Sequence, residues 1–253
     1  WADMLQALHA EWQKAHRRHD LVLCFGFAVI TYLWLGSTAP TGADERANAY
    51  SALFYAVPII NTILLPVMMA VLASRLWDVE EKGCTAKLLY TLQSRRSLFL
   101  GKAVFGFGEV VLMVVLEAAV IVVLGRTQGY TEAFPAGQFA YLNTCTLAVS
   151  TMLYFSELLL ALWFRNPLPA VCTGIVGALL GLFSAFMPPA AGYFVPWGYY
   201  VPLCSYEVKV WDQAAHTVTY GTRPFNWELL TFTVGLAVFL FGVCWRVMRS
   251  KEV

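Results

Sequence analysis

R-L-W-D-V-E-E-K-G-C-T-A-K-L-L-Y-T-L-Q-S-R-R-S-L-F-L-G-K, residues 75–102, is the most charged stretch of a chain that otherwise reads as lipid-soluble. Asp78, Glu80, Glu81 and Lys82 crowd its start, and Arg95, Arg96 and Lys102 mark its end. Apolar runs flank it on both sides. A segment so charged belongs in water. Its six Lys and Arg residues predict the cytoplasmic side of a membrane, where basic loop residues concentrate. Thr85 to Leu92 has the content of one short helix. Asp78, Glu80 and Glu81 suit a helix N-terminal turn, where carboxylates meet the positive end of the peptide dipole. A plain solvated loop between two spans would carry the same charges.

Composition sets the frame for that reading. Of 253 residues, 59% are hydrophobic, 15% aromatic and only 13% charged, and the mean hydropathy is +0.61. A soluble domain carries roughly 25% charged residues. One soluble core could not hide this much apolar surface, so the composition predicts an all-α integral membrane protein. A formal net charge of +1 argues against a nucleic-acid partner.

A span needs about 20 apolar residues. Six candidates stand near residues 20–38, 49–73, 101–124, 138–164, 168–187 and 228–247. They make one transmembrane domain over residues 1–253. The second contains Pro58, Asn61 and Pro66, and a proline inside a span removes a backbone hydrogen bond. Between the fourth and fifth lies only the turn Arg165-Asn166-Pro167. With these spans, thirteen of the 17 Lys and Arg residues fall on one side: Lys14, Arg17 and Arg18, the six of 75–102, Arg165, Arg246, Arg249 and Lys251. Arg46, Arg126, Lys209 and Arg223 fall on the other. This asymmetry predicts that both termini are cytoplasmic, which an even number of spans allows.

Residues 1–19 lack the apolar core of a signal peptide. Trp1, Met4, Leu5, Leu8, Trp12 and Ala15 repeat at helical spacing, with Asp3, Gln6, Glu11, Gln13 and Lys14 opposite. The pattern predicts an amphipathic helix at the membrane interface, with a helix packed on a protein partner as the alternative.

The outer segment, residues 188–227, opens P-P-A-A-G-Y-F-V-P-W-G-Y-Y-V-P. Pro188, Pro189, Pro196 and Pro202 forbid one continuous helix. Tyr193, Phe194, Val195, Trp197, Tyr199 and Tyr200 are too apolar for an open loop. A broken, re-entrant element before the sixth span fits both facts, with a plain aromatic belt as the alternative. In the first case Tyr193, Pro196, Trp197, Tyr200 and Pro202 are candidates for a lid over an amphipathic substrate.

Ionisable residues inside spans face a bundle interior or a cavity, because a bilayer-centre charge costs at least about 2.5 kcal/mol. Glu109, Glu117 and Glu157 are such residues. Counting from Lys102 and Arg165, Glu109 and Glu157 fall at one depth, roughly 10–12 Å in at 1.5 Å per residue, which suggests a shared polar cluster. A neutral glutamate tying helices together is the structural alternative. No G-x-x-x-x-G-K-[ST] loop occurs, so the chain has no nucleotide site of its own. Six cysteines without a C-x-x-C pair read as small buried hydrophobes, and four scattered histidines predict no metal site.

The order of acidic residues, Lys82-Gly83, a short apolar helix, Arg95-Arg96 and Gly101-Lys102 resembles the first cytoplasmic loop of ABC-2-type permeases. It departs from the commonest form in having Gln93-Ser94 where many members have a proline. The resemblance implies a coupling helix between spans 2 and 3, within residues 74–100, that docks on an ATPase subunit through Glu80, Glu81, Lys82, Gly83, Leu88, Leu89 and Leu92. It also implies a pair of permeases on an ATPase dimer, with ATP and Mg held by the ATPase and a bacterial plasma-membrane location. Pro196-Trp197 followed by Pro202, with Arg165-Asn166 and Gly174, Gly177 and Gly181, is similar to permeases of lantibiotic-immunity transporters. That likeness implies export of a cationic amphipathic peptide. Another amphipathic or lipid-linked substrate fits the same architecture. A proton-coupled carrier using Glu109, Glu117 and Glu157 would want inverted repeats, and none is visible. The three glycines have a simpler meaning in close helix packing.

Overall fold

Each apolar run marked as a span in the sequence is a helix in the computed structural model, which describes residues 2–38, 40, 42–82, 95–164, 166–188, 192–212 and 217–250. Among these, eight α-helices follow in chain order: α1 (Ala2–Arg18), α2 (Asp20–Ser37), α3 (Ala43–Ala47), α4 (Ala49–Lys82), α5 (Arg95–Thr127), α6 (Ala136–Trp163), α7 (Leu168–Ser184) and α8 (Trp227–Ser250). Five of them, α2, α4, α5, α6 and α8, are long and apolar enough to cross a membrane. The predicted fifth span, α7, has 17 residues. That is about 26 Å of helix, short of a hydrocarbon core of about 30 Å.

Two elements depart from the sequence expectations. The chain is mostly helical and fits the all-α membrane class, but residues 188–227 also hold a small antiparallel hairpin of β1 (Tyr206–Asp212) and β2 (Thr217–Thr222), with an irregularity between Val208 and Val210. Its signal is the alternation in Y-E-V-K-V-W-D and T-V-T-Y-G-T, rich in β-branched and aromatic residues. The second concerns the charged stretch. Helix α4 runs nine residues past the predicted end at 73, so Asp78, Glu80 and Glu81 occupy its C-terminal turns rather than the first turn of another helix. Leu65, Met69, Leu72, Leu76 and Trp77 form a continuous buried stripe, and no Gly or Pro interrupts it between Pro66 and Gly83. Burial of that stripe carries the helix onward into the charged residues.

Helices α4 and α6 form the centre. Helix α7 packs on α4, α8 packs on α6, and α5 carries α1 and α2 on its flank. The two prolines inside α4 are accommodated locally. Pro58 cannot donate to the carbonyl of Phe54, and that carbonyl instead accepts the Cys204 thiol at 3.5 Å. At the start of α7, Asn166 Oδ1 accepts the Leu168 amide at 3.0 Å, a cap that makes the tight turn possible.

One end of the bundle holds the loop 40–48, the loop after α5 and the hairpin. The Thr131 amide donates to the Arg46 carbonyl at 3.1 Å, and the Ser51 amide donates to Glu132 at 3.0 Å. Tyr206 packs edge-on to Phe54, and Tyr220 lies on Tyr55. The other end holds α1, the end of α4 and the start of α5. The four cations assigned to the outer side, Arg46, Arg126, Lys209 and Arg223, thus gather at the hairpin end. Of the cysteines among the described residues, Cys24, Cys145, Cys204 and Cys244 are buried; Cys172 is exposed, contrary to expectation.

Candidate functional site

The end opposite the hairpin is built on an ionic knot. Glu11, Ala15 and Arg18, at i, i+4 and i+7, are buried among the described side chains of α1, while Trp12 is 59% exposed. This corrects the sequence reading, which put Glu11 on the polar outer face. Lys102 also belongs here rather than in water. Its Nζ lies 3.2 Å from Glu11 Oε1 and donates to the Leu76 carbonyl at 2.7 Å, and its ammonium stands over the Trp77 ring. Lys14 reaches the same Glu11 oxygen at 3.0 Å, and Arg18 reaches the other at 3.4 Å. Arg18 Nε donates to Asp20 at 2.7 Å, and Arg75 donates to the Arg18 carbonyl. Burial pushes the Glu11 carboxyl up, but Lys102, Lys14 and Arg18 outweigh it and hold the group below its ordinary range. The turn that brings Arg18 and Asp20 together runs through His19 at φ 57°, a left-handed conformation that costs a non-glycine residue about 1 kcal/mol.

A second polar group lies deep in the bundle. Asn61 on α4 donates to Glu117 on α5 at 2.8 Å and approaches Thr146 on α6 at 3.5 Å. All three are buried. The Ser150 hydroxyl on α6 and the Tyr200 hydroxyl lie 3.0 Å apart. These contacts join α4, α5, α6 and the segment after α7.

That segment folds back along α7. A single 3-10 turn, Pro196–Gly198, sets Trp197 against Gly177 and sets Gly198 against Gly181 and Ser184. From Ser184 back to Gly177 is seven residues, about 10 Å of helix. The three glycines of α7 are there for close approach. A Cβ on Gly174 would lie 2.9 Å from the Pro66 carbonyl, and one on Gly181 would lie 2.8 Å from Thr62 and 2.9 Å from the Trp197 backbone. The indole N–H of Trp197 faces Glu157 on α6 without closing a hydrogen bond, and neither carboxylate oxygen of Glu157 has a hydrogen-bond partner among the described residues. Substituting Gly177 with Leu should evict Trp197 and cost about 1–3 kcal/mol, a typical overpacking penalty. Heat-induced loss of folded protein in detergent measures it. Gly235→Leu, at a site with open space around it, is the control, and an equal midpoint for both variants refutes the seat.

The structure separates residues that the sequence reading grouped. Glu109, Glu117 and Glu157 do not share one cluster. Glu109 neighbours Asp20 beside the ionic knot, Glu117 is held by Asn61, and Glu157 faces Trp197. Equal depth did not bring Glu109 and Glu157 together, because their side chains point to different neighbours around the bundle. Among the lid candidates, Trp197 and Tyr200 point inward. Tyr193 and Pro202 line a cleft of about 470 Å³ near the hairpin end, with Arg223, Phe225 and Asn226. Asn226 donates to the Tyr193 hydroxyl at 3.3 Å, and Arg223 is held by Glu207 at 2.7 Å. Pro196 opens the 3-10 turn. Of the docking candidates, Glu80, Glu81 and Lys82 lie in the last turn of α4. Gly83, Leu88, Leu89 and Leu92 lie outside the described residues. Sequence reasoning missed the pairing of Glu11 with Lys102 and of Asn61 with Glu117. The spacing of Glu11, Ala15 and Arg18 was the available signal for the first.

Five apolar helices long enough to cross a membrane form the frame that holds these polar groups. No curated protein matches the chain. A family model described as "ABC-2 family transporter protein" matches residues 7–181, more than half of it, from within α1 to near the end of α7. Members of that family are transport subunits without a nucleotide-binding domain, and they generally work with an ABC ATPase. The chain therefore belongs to the ABC-2 family of transporters, as a membrane permease.

Proposed function

We propose that this permease serves an exporter that removes a cationic amphipathic peptide, of the lantibiotic or bacteriocin kind, from the membrane and so confers immunity. ATP hydrolysis on a separate ATPase dimer drives it, with ATP and Mg bound there. A second, related permease completes the path, because one bundle this thin cannot enclose a peptide. The short helix α7 serves as the fifth of six spans, both termini face the cytoplasm, and the membrane is a bacterial plasma membrane. In this reading the hairpin end is extracellular and residues 188–204 are a re-entrant lid.

The observation that carries the proposal is the fold-back beside its cleft. An amphipathic guest needs apolar and polar walls together. Tyr193, Pro202 and Phe225 supply the first, and Asn226 and Arg223 the second. Phe194, 86% exposed, and Phe186 stand free beside this segment. Aromatic faces attract the cationic side chains of such a peptide.

The test is survival of a sensitive bacterium that expresses this chain with its ATPase and second permease. The expected result is a several-fold rise in the lantibiotic concentration tolerated. Phe194→Ser should reduce that gain while leaving the assembled complex intact, since Phe194 packs on little. An intact complex that protects against no cationic amphipathic peptide overturns the substrate assignment. A chain that is functional as a monomer overturns the paired permease.

A further inference from the structure

A second cavity, of about 680 Å³, opens between α1, α2 and α5. It lies beside the ionic knot, away from the hairpin-end cleft, and the reading above makes no use of it. Its walls are largely apolar: Trp12 and Ala15 from α1, Leu21 from α2, and Val104, Phe105 and Leu112 from α5. Trp12, Leu21 and Val104 are exposed, so the mouth opens on the apolar flank of the bundle.

Two carboxylates interrupt this apolar lining. Asp20 and Glu109 both wall the cavity as neighbours. Glu109 is 6% exposed, and neither of its oxygens has a hydrogen-bond partner among the described residues. Asp20 gives Oδ2 to Arg18, while Oδ1 has no hydrogen bond and only a 3.9 Å ion-pair approach from Arg75. Of the other charged groups here, Lys102 and Lys14 are held by Glu11, and Arg18 by Glu11 and Asp20, with Arg18 Nη2 left without a hydrogen-bond partner among the described residues. His16 and Gln13 also line the cavity, and neither bonds Glu109.

Three buried acceptor oxygens without a hydrogen bond therefore line one wall of an apolar cavity. Two unpaired acceptors side by side are costly in such a place. A primary ammonium group brings three N–H donors on one positive charge, and an apolar body would fill the rest. We propose that this cavity binds a primary-ammonium amphiphile, its head on Asp20 and Glu109 and its chain between Trp12, Leu21, Val104 and Phe105. The same chemistry is offered by the amino head of a membrane phospholipid and by a free alkylamine. The site does not depend on the identity of the exported substrate.

Two substitutions test it without disturbing the packing. Glu109→Gln keeps the shape and removes the charge. Gly108→Leu fills the cavity, because nothing lies within 4 Å of a Cβ built on Gly108. The probe is dodecylammonium, titrated into the protein in phosphatidylcholine nanodiscs and followed by calorimetry. Dodecyltrimethylammonium, which has no N–H donor, is the comparison. We expect the primary amine to bind at least tenfold more tightly than the trimethyl analogue, as hydrogen bonds to charged groups imply. Each variant should lose at least tenfold for the primary amine. Equal binding of the two amphiphiles, or full binding by both variants, overturns the proposal and leaves an apolar crevice whose carboxylates share a proton or take Arg18. A third arm separates the sources. Phosphatidylethanolamine in the nanodisc competes with the probe if the lipid head is the occupant, and fails to compete if only single-chain amines fit. Should Glu109→Gln fail to fold, Gly108→Leu decides alone.

Discussion

Replacing Glu11 with Ala is expected to release α1 from the bundle and to cost about 3–5 kcal/mol, the usual penalty for stranding a buried charge by deleting its partner. The buried charge that loses this carboxylate is Lys102, which is 1% exposed and has its ammonium on Glu11. The Leu76 carbonyl and the Trp77 ring also contact it, and neither carries a negative charge. The readout is the midpoint of thermal unfolding in detergent, together with protease access to the link at His19. The pair Glu11→Ala with Lys102→Met should recover most of the loss, because an apolar side chain then fills the space and no charge is buried. A double variant as unstable as the single one means that the contact is incidental. The pH dependence follows from the depressed Glu11 carboxyl. Its contribution is full above the ordinary value of 4.5 and is lost as pH falls through the lower value held in the fold. Docking of α1 should therefore be unchanged from pH 8 down to about 5 and weaken only in stronger acid. Loosening between pH 7 and 6 would overturn the assignment to Glu11.

The second large effect is expected at the ATPase contact. Leu88, Leu89 and Leu92 are spaced i, i+1 and i+4 on a cytoplasmic helix in the sequence reading, a narrow apolar edge with no lipid to enter. A helix seated in a protein groove is the home such an edge finds. Losing a central buried anchor commonly costs above about 2 kcal/mol, roughly thirtyfold in affinity, and a buried Asp costs more. Leu89→Asp should release the ATPase and abolish transport, while the chain still inserts and folds. Glu81→Ala, on the polar rim, should matter much less. Pull-down of the ATPase with each variant decides it, and retention by Leu89→Asp at the parent's level removes this segment from the docking surface.

The outline of this protein was legible in sequence because the features that set it are local and additive. A run such as residues 136–163 is helical and apolar whatever it later touches, and six such runs were placed within a few residues of the helices that form, apart from the longer ends of α4 and α5 opposite the hairpin. The distribution of Lys and Arg between the two ends follows from the same count. The coupling-loop pattern was enough to name the family that the match over residues 7–181 supports. The hairpin of 206–222 was legible too, in its alternation, but the hydrophobicity of the surrounding segment drew the reading away from it.

What only the tertiary structure decided is which polar groups meet. Glu11 and Lys102 are 91 positions apart, and Asn61 and Glu117 are 56 apart. No spacing rule connects them, because helix rotation about its axis, set by packing against α4 and α6, chooses the partner. Glu109 and Glu157, placed at one depth by counting along the chain, face different neighbours for the same reason. Trp197 reads as an interfacial aromatic along the chain. It lies against Gly177 instead, because the missing side chains of Gly177 and Gly181 leave α7 room for the indole and for the Trp197 backbone, which no local property of P-W-G reveals. Sequence determined what must leave water; packing decided which buried charges found a counterpart, and which, like Glu109, are left with open acceptors.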